Sequence, residues 1–316
     1  MWKKYLSAKF FPFTDRMYQT NPAERVTTAM KKLLHFLLAC TGILPSFADD
    51  IDIVLIGGQS NATGQAYVRN IPSQFKTDPD VQIYYSKGTN KGQGSEQWKP
   101  LCPASESLDR FGVELTLGTE LHKLLPNRKI ALIKHALSGS NLYQQWNPGN
   151  RPGQQRGAEY AKFMETVNKG MAELRKQGHT PTIRAMVWQQ GEADAHKRSG
   201  MENSNAYSAN LENFIAQVRK DTGAPDMLFV YGTVLPKNLP NYPGRDVVRE
   251  AQRHLSQDAG TPFSIPGAFV VDADNLQMRA EDFRSPLPDD YLHLGTFGIM
   301  NLGERMARTI KKHWKQ

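Results

Sequence analysis

Residues 51–65, IDIVLIGGQSNATGQ, join a short apolar run to a turn of small polar residues. Five of the six residues at 51–56 are apolar, which predicts a strand buried on both faces. Two glycines and then Gln59, Ser60 and Asn61 follow this run. A tight turn alone would explain glycine and asparagine at this place. A serine held at a strand end, beside the N–H groups that open a helix, could instead act as a nucleophile.

Apolar runs alternate with helical patterns along the rest of the chain. The predicted strands cover residues 51–56, 81–85, 129–136, 183–188, 227–234 and 268–271. The predicted helices cover residues 111–125, 158–177, 206–220, 246–257 and 297–314. Strands that are nearly continuous in apolar residues are typical of a parallel sheet covered on both faces. We therefore predict an α/β fold, a three-layer α/β/α sandwich around a central parallel sheet. Its ligand site should lie beyond the carboxyl ends of the strands.

The positive charge of the chain is concentrated near its N-terminus. The 316 residues carry a formal charge of +8, but residues 1–48 hold seven of the basic and two of the acidic side chains. Residues 49–316 therefore carry only +3, which is ordinary for a protein surface and gives no reason to expect nucleic acid as a partner. No apolar run reaches the roughly 20 residues that a membrane-spanning helix needs, so no membrane span is expected.

Residues 30–48, MKKLLHFLLACTGILPSFA, have the pattern of a secretory signal peptide. Two lysines precede a short apolar stretch, and the Ser-Phe-Ala at its end fits the small-x-small cleavage rule. Residues 1–29 would then be an upstream extension, and Met30 would be the better start. An internal amphipathic helix is the other interpretation of this segment. The mature protein would comprise residues 49–316.

Cysteine usage agrees with an exported protein. Cys102 would be the only cysteine of the mature chain, so no internal disulfide could form. Export without disulfides fits a bacterial periplasm better than a disulfide-rich eukaryotic secretory domain. We expect a periplasmic or secreted protein. Because residues 37–40 loosely resemble a lipobox, a lipoprotein attached through Cys40 is the alternative.

Two later loops also carry polar residues. Residues 187–195, VWQQGEADA, end a predicted strand and then present Glu192 and Asp194, although two acids there could simply stabilise a helix N-terminus. Asp290 precedes His293 by three residues, a spacing at which the carboxylate can hold the imidazole in one tautomer. A single histidine is often structural, and the chain has eight. Together with a serine at a strand end, the Asp-x-x-His pattern points more specifically to a serine hydrolase.

Three blocks in the same order resemble the SGNH hydrolase superfamily: GGQSN at 57–61, WQQGEAD at 188–194 and DDYLHLG at 289–295. Within it they are similar to the group of sialate O-acetylesterases and carbohydrate esterase family six, which includes acetylxylan esterases. The blocks FGVELTLG, IKHALSGSNLYQQW and LGERMA also resemble that group. The resemblance covers residue 51 to the C-terminus. It implies a flavodoxin-like SGNH esterase domain over residues 49–316.

The resemblance also implies catalytic roles. Ser60 would be the nucleophile, His293 the general base and then the general acid, and Asp290 the residue that orients His293. Some members of the group are described with the glutamate of the Gln-Gly-Glu block as the acid, so Glu192 competes with Asp290. Gln189 stands where the group usually has histidine, which leaves catalysis intact but puts substrate choice in doubt.

The remaining site residues follow from the same resemblance. The oxyanion hole would consist of the Ser60 N–H, the Gly112 N–H and the side-chain amide of Gln190. Substrate contacts are expected from the residues Gln59, Asn61 and Trp146. Aromatic side chains in loops near strand ends could stack on sugars or fill the loop packing; they are Trp98, Tyr143, Trp146 and Tyr242. No cofactor and no metal ion are implied.

The expected reaction is serine-dependent hydrolysis of acetyl esters on carbohydrate. A mature chain of this length suits a bare catalytic domain, which favours acetylated xylan or a similar polysaccharide over the substrates of longer sialate O-acetylesterases. Alternatives are a sialate O-acetylesterase, an SGNH lipase or thioesterase, and a catalytically inactive carbohydrate-binding protein. A lipase would need a long apolar channel, whereas a binding protein would have no use for Ser60, Asp290 and His293 together.

Overall fold

The apolar run at residues 51–56 becomes the central strand of a seven-stranded sheet. The computed structural model describes residues 49–86 and 96–315. The predicted upstream extension, the signal peptide and Cys40 lie outside the described residues. In the described ranges, no helix combines the length and the apolar character that crossing a bilayer requires.

The main sheet is parallel except at one edge. Its strands are β1 (Asp50–Gly58), β3 (Gln82–Tyr85), β4 (Lys99–Pro100), β6 (Lys129–Lys134), β7 (Thr180–Gln189), β8 (Leu228–Gly232) and β9 (Ala268–Val271). Their order is β4-β3-β6-β1-β7-β8-β9, and only β4 runs antiparallel to its neighbour. The strands β2 (Ala66–Tyr67) and β5 (Arg110–Phe111) form a separate antiparallel pair. The carboxyl ends of β1, β6, β7, β8 and β9 therefore meet at one edge.

Helices cover both faces of this sheet. The helices are α1 (Ser60–Thr63), α2 (Glu114–Leu124), α3 (Ala158–Lys176), α4 (Glu192–Ala195), α5 (Gly200–Asp221), α6 (Arg245–His254) and α7 (Thr296–His313). Apolar side chains of α3, α5 and α6 share one core cluster with Ile53 and Leu55 of β1. Those of α2 and α7 share the other cluster with Val54 and Ile56. Because successive residues of β1 face opposite cores, nearly every position is apolar. The exception is Asp52, which is buried and pairs with Arg128 and Arg184.

The predicted α/β/α sandwich is confirmed, and the predicted elements differ from the structure mainly at their ends. The helix predicted from residue 111 begins at Glu114, because Arg110–Phe111 pairs with Ala66–Tyr67 instead. The short edge strand Lys99–Pro100 was not predicted. Two residues carry no periodicity, and proline is tolerated only where no further strand needs its missing N–H.

Candidate active site

A cleft of about 500 Å³ opens at the carboxyl edge of the parallel strands. Residues that follow five different strands line it, which is the position expected for the ligand site of such a sheet. Ser60 follows β1, Ser138 follows β6, Glu192 follows β7, Tyr242 follows β8 and His293 follows β9. The structure therefore brings the expected nucleophile and the expected base to the same cleft.

Glycine 58 sets the position of Ser60. Its φ of +136° is strained for other residues, and a Cβ there would lie 2.2 Å from the backbone oxygen of Gln189. This close approach lets β1 run beside β7 to its last residue, where the Gln59 N–H donates to the Gln189 oxygen at 2.9 Å. Ser60 then opens α1 and lines the cleft. In the described part of the chain, its hydroxyl has no hydrogen-bond partner.

Asp290 holds His293 through a direct contact. The Nδ1 of His293 lies 3.0 and 2.9 Å from the two carboxylate oxygens of Asp290. The backbone N–H groups of Leu292 and His293 donate to Asp290 Oδ1, and Arg279 donates to Oδ2 at 3.4 Å. Burial would raise the pKa of Asp290, but the hydrogen bonds and the neighbouring positive charges outweigh burial and lower it. An ionised Asp290 requires the proton on Nδ1, which leaves Nε2 free to accept one.

Glu192, the competing acid, makes a different contact. Its Oε1 accepts a hydrogen bond from Asn61 Nδ2 at 2.7 Å, while its Oε2 is buried without a partner among the described residues. Burial raises the pKa of Glu192, although the hydrogen bond from Asn61 and the charge of His293 oppose this shift. The carboxylate that contacts the imidazole is therefore that of Asp290.

The residues on either side of Ser60 tie its turn to other loops. Asn61 Nδ2 also donates to the Leu292 oxygen at 3.3 Å, and Asn61 Oδ1 accepts the Leu294 N–H at 3.0 Å. Gln59 Oε1 accepts the N–H of Ala193 at 3.0 Å. Gln59 still lines the cleft, but Asn61 is buried and its amide is fully engaged. The expectation that Asn61 binds substrate is corrected, because it instead holds the loop of His293 against the Ser60 turn.

Two expected donors of the oxyanion hole point elsewhere. The Gly112 N–H donates to Glu114 Oε1 at 2.9 Å. The Gln190 amide donates to Asp194 Oδ2 at 2.5 Å and to the Ser140 oxygen at 3.2 Å, and Gln190 is fully buried. Neither residue lines the cleft, so the structure corrects both assignments.

The backbone N–H groups of Ser60 and Gly139 are alternative candidates for the oxyanion hole. The Ser60 N–H, at the start of α1, and the Gly139 N–H, in the loop after β6, have no hydrogen-bond partner within residues 49–86 and 96–315. Both residues line the cleft.

The aromatic residues divide between core and cleft. Trp146 is fully buried, with its ring 4.9 Å from that of Trp188, and its Nε1 donates to Ser140 Oγ at 2.8 Å. It is part of the core, which corrects its expected role in sugar binding. Trp98 donates to the Gly170 oxygen, and Tyr143 donates to Glu202. Of the four aromatic side chains considered from the sequence, Tyr242 lines the cleft.

Several cleft residues escaped the sequence analysis. Glu106 and Arg110, which precede α2 in the chain, line the cleft together with His196 and Arg198. No periodicity or motif marks the two arginines or Glu106. His196 follows the Gln-Gly-Glu block by only a few residues, so proximity to that block was the one available indication. Gln189, the departure from the family pattern, is buried and lies outside the cleft lining.

Within residues 49–86 and 96–315, one group of possible metal ligands is found, and its residues are not among those that line the cleft. The donor atoms of Asp78, Asp80 and His122 lie within 4.8 Å of one another. His122 Nδ1 already pairs with Asp78 Oδ2 at 2.7 Å, and Asp80 is exposed. This arrangement is that of a surface acid–histidine pair, and it has no contact with the residues around Ser60.

Several solved structures are similar to this chain. Among solved structures, a protein from Arabidopsis thaliana is similar, with a TM-score of 0.60 and 19% identity over 84% of this chain and 99% of that one. NanS has a TM-score of 0.59 and 15% identity over 84% of this chain and 98% of its own. A carbohydrate acetylesterase from Xanthomonas citri has a TM-score of 0.51 and 16% identity, over 81% of this chain and 54% of its own.

At these identities the structural similarities show a shared fold. No curated protein sequence matches the chain. The family model described as "Carbohydrate esterase, sialic acid-specific acetylesterase" matches residues 50–312. This match spans most of the chain, so the chain belongs to that family and is a carbohydrate acetylesterase, a serine hydrolase that cleaves ester bonds.

Proposed function

We propose that Ser60, His293 and Asp290 form the catalytic triad of this esterase. The observation that carries the proposal is the Asp290–His293 pair, which shares one cleft with the Ser60 hydroxyl, a group without a hydrogen-bond partner among the described residues. His293 Nε2 takes the Ser60 proton while the oxygen attacks the acetyl carbonyl. Asp290 keeps the proton on Nδ1 and stabilises the imidazolium that forms.

The proposed reaction has two halves. When the tetrahedral intermediate collapses, the bond between the acyl carbon and the sugar oxygen breaks. His293 returns its proton to that oxygen, and the sugar hydroxyl leaves. Water then attacks the acetyl-Ser60 ester with His293 again as base, releasing acetate and restoring the serine. No cofactor enters this sequence.

The negative charge of the intermediate requires hydrogen-bond donors. Ser60 and Gly139 line the cleft, and their backbone N–H groups have no hydrogen-bond partner among the described residues. We propose that they form the oxyanion hole in place of Gly112 and Gln190. Removing one such donor typically costs about 10²–10³-fold in rate.

We propose an acetylated polysaccharide such as acetylxylan as the substrate. The cleft is open, and polar or charged residues such as Gln65, Glu106 and Ser138 line much of it, which suits sugar hydroxyls better than a fatty acyl chain. O-acetylated sialic acid is the second candidate, favoured by Arg110 and Arg198 in the cleft, since a guanidinium suits the carboxylate of an acidic sugar.

Acetate release tests the proposal. Residues 49–316 would be assayed with acetylated xylan and with O-acetyl sialic acid, beside the Ser60→Ala variant. We expect release that falls by at least about 10⁴-fold in the variant, because the triad works as a unit. Full turnover in a folded Ser60→Ala variant would contradict the triad. Release from sialic acid alone would keep the mechanism and replace the proposed substrate.

We also propose that the protein is exported after cleavage behind Ala48. The support is the sequence pattern of residues 30–48. Mass spectrometry of the exported protein should give an N-terminus at Asp49. A lipid-modified N-terminus at Cys40 would show the lipoprotein alternative, and an N-terminus before residue 30 would contradict both.

A further inference from the structure

One wall of the cleft is built from two loops that are fixed to each other. The first holds His196 and the short 3₁₀ turn Lys197–Ser199, and the second holds Tyr242. The Lys197 N–H donates to the Asn241 oxygen at 2.8 Å, and the Gly244 N–H donates to the Ala195 oxygen at 3.1 Å. The two loops that present His196 and Tyr242 to the cleft are therefore held together by backbone hydrogen bonds.

The hydrogen bonds of His196 define its tautomer. The backbone N–H of Arg198 donates to His196 Nδ1 at 3.0 Å. A ring nitrogen that accepts a hydrogen bond carries no proton, so the proton of the neutral imidazole is on Nε2. Burial lowers the pKa of His196, and the positive charges of Arg198 and Lys197 lower it further, which favours this neutral form. His196 thus offers an N–H donor, whereas His293 offers an acceptor.

Tyr242 packs against the imidazole of His196 and lines the same cleft as Ser60. Its ring stands at 87° to that of His196, with the ring centroids 4.8 Å apart. Burial raises the pKa of Tyr242 to about 12, and the charges of Glu192 and Asp290 add to this effect. The phenol therefore keeps its proton at neutral pH and remains both a donor and an acceptor.

We propose that His196 and Tyr242 form the recognition site for the sugar that carries the acetyl group. His196 Nε2–H donates to an oxygen of the pyranose, and the Tyr242 ring packs against the sugar. Within the described residues, His196 Nε2 has no hydrogen-bond partner, so the donor is available. The inference rests on the proposed function, because it assumes that Ser60 in the same cleft attacks the ester.

A substrate without a sugar separates recognition from catalysis. p-Nitrophenyl acetate uses the same nucleophile, base and oxyanion donors but offers no pyranose oxygen to His196. We expect His196→Phe, which keeps a ring and removes the donor, to lower kcat/KM for an acetylated sugar about tenfold. The kcat/KM for p-nitrophenyl acetate should stay within about twofold. His196→Gln, which retains an N–H donor, should recover part of the loss with the sugar.

The controls distinguish this inference from the proposed function. His254→Phe makes the same substitution on an exposed histidine of α6 outside the cleft lining and should change neither activity. The sugar substrate is whichever of acetylated xylo-oligosaccharide and O-acetyl sialic acid the wild type hydrolyses faster. Equal losses on both substrates, no loss on either, or no sugar turnover by the wild type would overturn the inference. An active Ser60→Ala variant would instead overturn the proposed function.

Discussion

Two polar segments meet at the Ser60 turn, residues 190–194 after β7 and residues 290–293 after β9. In the first, Gln190, Glu192 and Asp194 are buried and bind neighbouring loops; Asp194, for example, accepts the N–H groups of Leu142 and Tyr143. In the second, Asp290 and His293 contact each other, and His293 lines the cleft. Carboxylates in similar sequence settings thus have different roles. Glu192 and Asp194 hold loops together, whereas Asp290 orients the imidazole of His293.

The pKa directions follow the same division. Burial raises the pKa of Asp194 to about 6, and it raises that of Glu192 as well, because neither has a cationic partner in contact. The pKa of Asp290 is lowered despite burial, because His293, two backbone N–H groups and Arg279 stabilise its charge. A carboxylate that must stabilise an imidazolium has to be ionised, so the contacts of Asp290 suit it to that role.

The largest effect should come from Asp290→Asn. The amide cannot hold the proton on Nδ1 of His293 as a carboxylate does, and kcat should fall by about 10⁴-fold. Acetate release by the purified variant measures this loss. Asp289→Asn, at the exposed neighbouring acid, is the matched control and should retain activity. Comparable activity of Asp290→Asn and wild type would remove Asp290 from the triad.

Glu192→Gln should have a much smaller effect. The glutamine oxygen can still accept the hydrogen bond from Asn61, so we expect kcat to fall by no more than about tenfold. Glu192→Ala removes that acceptor and should cost more than Glu192→Gln in the same assay. If Glu192→Gln lost as much as Asp290→Asn, the distinction between the two segments would fail, and Glu192 would be the catalytic acid.

Relative to the wild type, the stabilities of the Asp194 and Asp290 variants should change with pH in opposite directions. The pKa of Asp194 rises from 3.8 to about 6 on folding, so the wild type loses stability as pH rises between these values. The asparagine of Asp194→Asn does not titrate. As pH rises across that window, the free energy of unfolding of this variant should therefore increase relative to that of the wild type, by at most about 3 kcal/mol. Because the pKa of Asp290 is lowered in the folded state, its ionised carboxylate stabilises the fold above pH 3.8, and the wild type loses this stability as pH falls below 3.8. The stability of Asp290→Asn should therefore increase relative to that of the wild type only below pH 3.8.

Urea unfolding at a series of pH values gives both differences. The expected pattern is a gain for Asp194→Asn with rising pH and a gain for Asp290→Asn with falling pH. Parallel pH profiles for both variants would show that the two carboxylates have equivalent environments.

The smallest effect is expected for Gln189→His, which installs the residue usual in the related group. Gln189 is buried and its Nε2 lies 3.5 Å from the Thr233 oxygen, so the change alters packing and not the cleft. We expect kcat/KM within about threefold of the wild type and a stability loss of about 1 kcal/mol. A shift in preference between acetylated xylan and O-acetyl sialic acid would show that residue 189 influences substrate choice.

The fold could be predicted because each strand and helix has a recognisable pattern of apolar residues within its own short stretch of sequence. A strand buried on both faces of a sheet is apolar at nearly every position, and the run at residues 51–56 shows this, with Asp52 as its one polar residue. The Asp290–His293 contact was also accessible, since it joins residues three apart in the sequence. The edge strand Lys99–Pro100 was missed because two residues give no pattern.

The lining of the site was less predictable, because it depends on contacts between distant segments. The sequence places Trp146 in a polar loop, where it could bind sugar. Asp194 accepts the Leu142 N–H of that loop, and the Trp146 ring is buried in the core. The sequence suggests that Gly112 is an oxyanion donor, but its N–H donates to Glu114 Oε1. Glu114 is itself held by Lys134, whose Nζ lies 2.7 Å from Oε2. Neither pairing of loop with loop is visible in one sequence.

The hydrogen bonds of Asn61 have a consequence for the order of folding. Asn61 binds Leu292 and Leu294, which follow it by 231 and 233 residues. Closing so long a stretch of chain is slow, and β1 can pair with β6 and β7 before it happens. We therefore expect the return of esterase turnover during refolding to lag behind the pairing of β1 with β6 and β7. An intermediate in which β1 has paired with β6 and β7, but the His293 loop has not bound Asn61, should hydrolyse no ester.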